Sequence, residues 1–303
     1  MKIIANTTDF YLDKETAVAI GKFDGVHMGH RRLLEEILAR KAEGLSACVF
    51  TFDPTPAVLF GYSDGKELTT REEKRRLFEE LGVDILIEFP LTTETAGISP
   101  EAFVRDILVR QMKVKFIAAG TDLSFGNKGA GNAALLTSMG EELGFAVTTI
   151  DKISMHGTEV SSTYVRRVVE EGDMKLVGAL LGMPYAIRGR VVHGNRIGRK
   201  LGFPTVNLLP ADNKLLPPNG VYYSRVRVGQ EVYRAITNIG CKPTVTDERV
   251  VGVESYLYDF ARDIYEEEIE VSLLEYKRPE MQFADLEELK RQLRQDIADG
   301  VGF

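Results

Sequence analysis

The sequence predicts a two-part fold: an α/β half built on a parallel sheet, then a small antiparallel β-barrel with a C-terminal helix. Three observations predict it. Between Ala17 and Ile150 apolar strands alternate strictly with amphipathic helices, the pattern of a parallel sheet covered on both faces. Beyond Pro184 strand-like segments follow one another without helices until about Leu286, which suggests a small barrel. The 303 residues suffice for about two domains, each able to bury its own core.

In the first half the expected strands are Ala17 to Ile20, Ala47 to Phe52, Ile85 to Phe89, Phe116 to Ala119 and Ala146 to Ile150. Each is a short apolar run of the kind buried on both faces. Between them, helical spacing predicts helices at about Arg31 to Lys41, Arg71 to Leu81, Pro100 to Gln111 and Asn132 to Leu143. The third opens with Ser99 as cap and Pro100 at the first helical position, where a missing N–H costs nothing. Ligands of such sheets bind at the carboxyl ends of the strands. Gly21 to His30, Phe52-Asp53-Pro54 and Gly120-Thr121-Asp122 all fall there.

After Ser161 two short helices are expected, about Thr163 to Glu171 and Met174 to Leu181, ending at Gly182 and Pro184. Strands follow at Tyr185 to Val192, Val221 to Val228, Val232 to Ile239, Val251 to Tyr258 and Ile269 to Tyr276, several with period-two alternation. A last helix, about Leu286 to Ala298, carries Leu286, Leu289, Leu293 and Ile297 on one face. The expected boundary lies at Met183-Pro184, giving domains 1–183 and 184–303.

Composition narrows the function. Hydrophobic residues at 44% and charged residues at 27% are ordinary for a soluble globular protein. A formal net charge of −7 argues against a general nucleic-acid or anionic-membrane binder, which needs a basic face. Cys48 and Cys241, each in an apolar context, read as free buried thiols of a reducing compartment. No run approaches the roughly 18 apolar residues of a membrane span, and the start Met1-Lys2-Ile3-Ile4-Ala5-Asn6 is too short for a signal peptide. The expected location is the cytoplasm, with no membrane and no nucleic-acid partner.

The most informative segment is Gly21-Lys22-Phe23-Asp24-Gly25-Val26-His27-Met28-Gly29-His30. It places two of four histidines three residues apart at a strand-to-helix turn. Gly21, Gly25 and Gly29 let the backbone approach a ligand, and the helix start offers unpaired N–H groups to an anion. His27 and His30 can add hydrogen bonds to phosphate oxygens. A second segment, Arg190-Val191-Val192-His193-Gly194-Asn195-Arg196-Ile197-Gly198-Arg199-Lys200-Leu201-Gly202-Phe203-Pro204-Thr205-Val206-Asn207, packs three glycines and four basic residues around a turn between strands. It can fold over polyphosphate, but it lacks the order of a P-loop. By itself it reads equally well as a basic hairpin.

With these motifs in order, the chain resembles from end to end the bacterial bifunctional riboflavin kinase/FAD synthetase family. The resemblance implies a Rossmann-like α/β nucleotidyltransferase of the H-x-G-H class, acting as FMN adenylyltransferase, followed by a riboflavin kinase barrel. It implies that Gly21, Phe23, Asp24, Gly25 and Gly29 bind ATP with His27 and His30 on the phosphates, joined by Asp122 and by Ser161, Ser162, Thr163 and Arg166 of a second motif. In the kinase half it implies a nucleotide site at Arg190, His193, Gly194, Gly198, Lys200, Gly202 and Pro204, with Thr205 and Asn207 as Mg²⁺ ligands. Glu254 matches the family's catalytic base and Arg278 a residue near the flavin. The implied substrates are riboflavin, FMN and ATP, with Mg²⁺ as cofactor and FMN and FAD as products.

Two places depart from the family pattern. Gly120-Thr121-Asp122-Leu123-Ser124-Phe125-Gly126 carries Asp122 and Ser124 where members often have Asn and Arg, and Pro54-Thr55-Pro56 carries Thr55 where His is usual. A kinase-only relative with weakened adenylyl transfer, and a flavin- or nucleotide-binding regulator without turnover, therefore stand as alternatives. The sequence leaves the oligomeric state open.

Overall fold

The computed structural model describes residues 1–62, 64–194, 198, 201–243 and 249–303. The chain divides into two compact units, Met1–Ser162 and Thr163–Phe303.

The first unit is a six-stranded parallel sheet: β1 (Lys2–Ala5), β2 (Thr16–Ile20), β3 (Ser46–Asp53), β4 (Ile85–Pro90), β5 (Val114–Gly120), and β8 (Ala146–Ile150) after the short hairpin of β6 (Ser124–Phe125) and β7 (Gly131–Asn132). Their order in space is β1-β4-β3-β2-β5-β8, every pairing parallel. Each residue of β2 is buried, as a central strand covered on both faces requires. From β2 the chain winds outward through β3 to β4 on one side and through β5 to β8 on the other. The strand order thus reverses beside β2, and the crevice at its carboxyl end is where an open parallel sheet holds its ligand.

The helices follow the expected amphipathic spacing. α1 (Met28–Ala39) buries Leu33, Leu34 and Ile37, each contributing about 1.5–3 kcal/mol relative to exposure. α2 is a single turn (Pro56–Leu59), and α3 (Arg71–Glu80) opens with a reciprocal capping box between Thr70 and Glu73. The Ser99 hydroxyl caps α4 (Pro100–Ala102), accepting from the Ala102 N–H at 3.1 Å. The chain then continues as a wider π-helix over Phe103–Gln111. Phe103, Val104, Ile107 and Leu108 remain on its buried side, so the expected apolar stripe survives the change in pitch. Asn132 caps α5 (Ala133–Leu143). A small hairpin of β9 (Ser154–Met155) and β10 (Thr158–Glu159) leads to α6 (Ser162–Glu171) and α7 (Met174–Leu181).

The second unit contains a closed barrel in the order β11-β12-β15-β14-β13-β16. Its strands are β11 (Tyr185–Val192), β12 (Val206–Leu208), β13 (Gly220–Val228), β14 (Glu231–Pro243), β15 (Arg249–Leu257) and β16 (Glu268–Arg278). β11 pairs with both β12 and β16, which closes the sheet and leaves no open edge. Alternation assigns the faces: Val253, Ser255 and Leu257 of β15 are buried inward, so Glu254 and Tyr256 face outward. The buried hydroxyls of Ser224, Thr237 and Ser255 satisfy one another across three strands at 2.7 and 2.8 Å. α8 (Leu286–Asp299) is capped by Asp285, and its Ile297 packs with Val221, Ile236 and Tyr258. Of the strands in the main sheet and the barrel, β1 and β12 were not among the expected ones, nor were the two-residue strands β6, β7, β9 and β10 of the small hairpins. β12 is three residues long, too short for alternation to register. Among the described residues no helix is long and apolar enough to cross a membrane.

Candidate active sites

The first site grows out of the end of β2. The turn from Gly21 to His27 holds Phe23 and Val26 at φ of 50° and 45°, with Gly25 at 84°. Left-handed backbone is uncommon for a bulky residue and an outlier for a β-branched one. Here Phe23 and Val26 are fully buried, so core packing holds the turn in shape. Asp24 ties it down further. Its Oδ1 accepts the Leu68 N–H at 2.8 Å, and its carbonyl accepts the Ser162 hydroxyl at 2.8 Å.

His27 is the N-cap of α1, makes no side-chain cap bond, and is followed by no acidic residue in the first turn. The helix start therefore keeps its positive end and its unpaired N–H groups for an anion. The His27 and His30 rings stack 3.8 Å apart, with Phe23 5.0 Å from His30. A Cβ at Gly29 would stand 3.2 Å from the His27 ring, so glycine leaves room for the imidazole. Both Nδ1 atoms are buried without a hydrogen-bond partner. Burial pushes His27 down to about 4, against the opposing pull of Asp24 and Asp122. Burial, and then the neighbouring His27, hold His30 well below the usual histidine range. In the free protein both rings are neutral near pH 7.

The strands beside β2 carry the two departures. Asp122 follows β5, is exposed, and lies 3.4 Å from Lys152, which also meets Glu159 at 2.6 Å. Ser124 is exposed on β6. On the other side Thr55 precedes α2 without capping it, while the Asp53 carboxylate meets Arg71 at 2.9 Å. Arg71 and Arg75 both bind the buried Glu88. Burial works against the Glu88 charge, but the bonds from Arg75 and Arg71 prevail and hold its pKa below the usual range. Motif spacing gave no sign of Arg71, Arg75, Glu88 or Lys152. Ser161 lies just before α6, and Thr163 and Arg166 lie on its first turns, within the second unit.

The second site lies on the outer face of the barrel. Asn207 of β12 pairs directly with Glu254 of β15, and directly opposed residues share a face. The Thr205 hydroxyl donates to Glu254 Oε1 at 2.5 Å. The preceding turn is laid against this group: a Cβ at Gly194 would stand 2.5 Å from Asn207 Nδ2, and one at Gly198 3.3 Å from Thr205 Oγ1. Gly202 adopts a φ of 89°, and Pro204 sits between it and Thr205. The His193 ring lies tilted against Tyr265 at 3.9 Å, while Arg190 is exposed, 3.6 Å from Glu266. Lys200, with Asn195, Arg196, Ile197 and Arg199 of the same turn, lies outside the described residues, as does the Cys241 thiol. Arg278 stands apart from this row. Its guanidinium is held bidentately by the buried Asp296 of α8, at 3.1 and 2.5 Å.

Fold and sites together define a class: an α/β module with a histidine-lined, glycine-rich turn at the carboxyl end of its central strand, followed by a barrel module with its own hydroxyl, amide and carboxylate row. Residues 10–164 match the FAD synthetase family and residues 181–301 the riboflavin kinase family. The bifunctional riboflavin kinase/FMN adenylyltransferase of Listeria monocytogenes is 38% identical over 302 residues, covering 98% of this chain and 95% of that protein. Those of Escherichia coli K12 and Bacillus subtilis are 38% and 33% identical, covering 92% and 100% of this chain and 90% and 98% of theirs. A crystal structure described as a macrolide-efflux protein from Streptococcus pneumoniae matches over 100% of both chains, with a TM-score of 0.89 at 28% identity. The chain belongs to the bifunctional riboflavin kinase/FMN adenylyltransferase family, enzymes that use ATP to produce FMN and FAD.

Proposed function

We propose that each activity is carried by one of the two sites, with residues 1–183 as the adenylyltransferase module and 184–303 as the kinase module. Matched regions ending at 164 and beginning at 181 support this division, as does the start of the barrel at Tyr185.

In the kinase module Glu254 accepts the proton of the riboflavin ribityl 5′-hydroxyl as its oxygen attacks the γ-phosphorus of ATP. The bond to the β–γ bridging oxygen breaks, leaving FMN and ADP. The Thr205–Glu254 hydrogen bond, with Asn207 directly across the ladder, is the observation that carries this reading. It fixes the carboxylate beside two further oxygen donors. Thr205 donates its proton to Glu254 and so keeps lone pairs for a cation. Together with the Asn207 amide oxygen this is the all-oxygen donor set that Mg²⁺ favours. When bound, Mg²⁺ neutralises phosphate charge. Gly194 and Gly198 lie close against Asn207 and Thr205, and Arg190, His193 and Lys200 are the donors for the nucleotide. The Asp296 pairing of Arg278 supports a role in fixing the end of β16 beside the flavin.

In the adenylyltransferase module an FMN phosphate oxygen attacks the α-phosphorus of ATP and pyrophosphate leaves. The nucleophile is already an anion, so this chain needs no general base there. His27, His30 and the α1 start hold the phosphates, with Ser161 and Ser162 adding donors, and catalysis is alignment and charge stabilisation. The exposed Asp122, countered by Lys152, is compatible with an active module.

The test supplies riboflavin and FMN separately, each with Mg-ATP. Glu254→Gln is expected to abolish FMN formation while sparing FAD synthesis from FMN, and His30→Ala to impair FAD synthesis alone. Equal loss of both activities in either variant would overturn the partition, and a wild-type chain that forms FMN but no FAD would make the protein a kinase only.

A further inference from the structure

The cations of the adenylyltransferase crevice are not equally committed. On the β3 side Arg71 gives Nε and Nη2 to Glu88, which is 4% exposed, and Nη1 to Asp53 at 2.9 Å. Taking Arg71 away would leave a buried carboxylate uncompensated, which is strongly unfavourable. On the β8 side Lys152 meets Asp122 at 3.4 Å and Glu159 at 2.6 Å, whose side chains are 65% and 46% exposed. Exposed pairs of this kind contribute little and exchange partners readily. Register places this lysine beside the histidine turn. Ala118 of β5 pairs with Ala19 of β2, and two residues further along each strand direction stand Gly120 and Gly21. A Cβ at Gly120 would stand 2.8 Å from Asp122 Oδ1, so the carboxylate folds back over the end of β5, and its charge acts on His27. Oδ2 of the same carboxylate meets Lys152. One exposed carboxylate thus links the histidine turn to a releasable ammonium group.

Resting on the reading of His27, His30 and the α1 start as the ATP phosphate site, we propose that Lys152 is a further substrate-binding residue of adenylyl transfer, its ammonium passing from Asp122 and Glu159 to the triphosphate of ATP. The need for it follows from charge. ATP and FMN are both anionic, His27 and His30 are neutral near pH 7 in the free protein, and Asp24, Asp53 and Asp122 add carboxylates around the crevice. In the step, an FMN phosphate oxygen bonds to the α-phosphorus as the bond to the α–β bridging oxygen breaks, and that electron pair stays on pyrophosphate. No proton moves, so the new charge is met by groups that are already cations. Lys152 is a compact cation on a flexible stem. It keeps its proton throughout and leaves the carboxylates when a more highly charged anion arrives. Asp122 and Glu159 hold it ready between turnovers.

The test uses the full chain with Lys152→Met, Asp122→Asn and the two combined, because a lysine that only screens Asp122 and one that binds phosphate differ in the combined variant. FAD synthesis from FMN is measured against ATP concentration, with pyrophosphate as product inhibitor. The expected result is a roughly tenfold rise in KM for ATP in Lys152→Met, the loss of one charge-assisted bond, with pyrophosphate inhibition weakened by a similar factor. The same rise separates the double variant from Asp122→Asn, Lys152→Arg keeps most of the affinity, and the KM for FMN and riboflavin phosphorylation stay unchanged. An unchanged KM for ATP in Lys152→Met, or no difference between Asp122→Asn and the double variant, overturns the role of Lys152 while adenylyl transfer at the histidine turn stands. A wild-type chain that forms no FAD from FMN overturns that reading and this role with it.

Discussion

Burial of the stacked histidines should make the adenylyltransferase unit lose stability in mild acid, and His27→Asn should relieve part of that loss. The unfolded chain takes up a proton on His27 near the ordinary value of 6.5, whereas the folded protein resists until about 4. Between those values the unfolded state binds more protons, so folding free energy falls as pH is lowered through this window and no further below it. One pKa unit corresponds to about 1.4 kcal/mol, and integrating from pH 7 to pH 5 gives a loss of ~2 kcal/mol from His27 alone. His30 acts in the same direction. Asparagine cannot titrate, so the variant should lose ~2 kcal/mol less than wild type between pH 7 and pH 5. Urea unfolding followed by circular dichroism at both pH values measures the difference. Carbon-labelled histidine NMR reads the titrations directly, because only four histidines are present. Equal acid losses in the two proteins, or a His27 resonance that titrates near 6.5, would show that the rings are solvated and that the histidine turn is more open than its backbone indicates.

The remaining predictions concern groups that act through geometry. Gly194→Ala places a methyl group 2.5 Å from Asn207 Nδ2, so kinase kcat/KM should fall by roughly tenfold or more, the scale of about 1.4 kcal/mol of lost positioning, while FAD synthesis from FMN stays unchanged; equal activity would mean that the turn does not rest on Asn207 in solution. Asp24→Asn turns the acceptor of the Leu68 N–H into a weaker neutral one. FAD synthesis should drop and the unit should lose about 1–3 kcal/mol. Hydrogen exchange at Leu68 and Thr69 would quicken if the bond is real, and unchanged protection there would refute the anchoring role.

Much of this architecture is legible in the sequence because it depends on period and punctuation. β2, α1 and α7 follow from apolar spacing, and Ser99-Pro100 marks its helix start by the chemistry of a cap. The histidine turn is legible as far as its residue types. What spacing does not show is why it holds its shape: the left-handed Phe23 and Val26 are permitted only by core packing around them, and Asp24 is spent on the Leu68 N–H, 44 residues away. Such contacts are long-range consequences of the fold and have no local signature.

The barrel site sets the limit more sharply. Asn207 and Glu254 each look like polar residues in a strand, where alternation alone leaves open whether they face a ligand or simply solvent. Register decides between these, because a slip of one residue in β15 would bring Ser255 opposite Asn207 and turn Glu254 toward the apolar interior. The observed register is fixed by Val253, Ser255 and Leu257, whose burial admits no such slip. The same constraint that builds the core therefore aims Glu254 at Thr205.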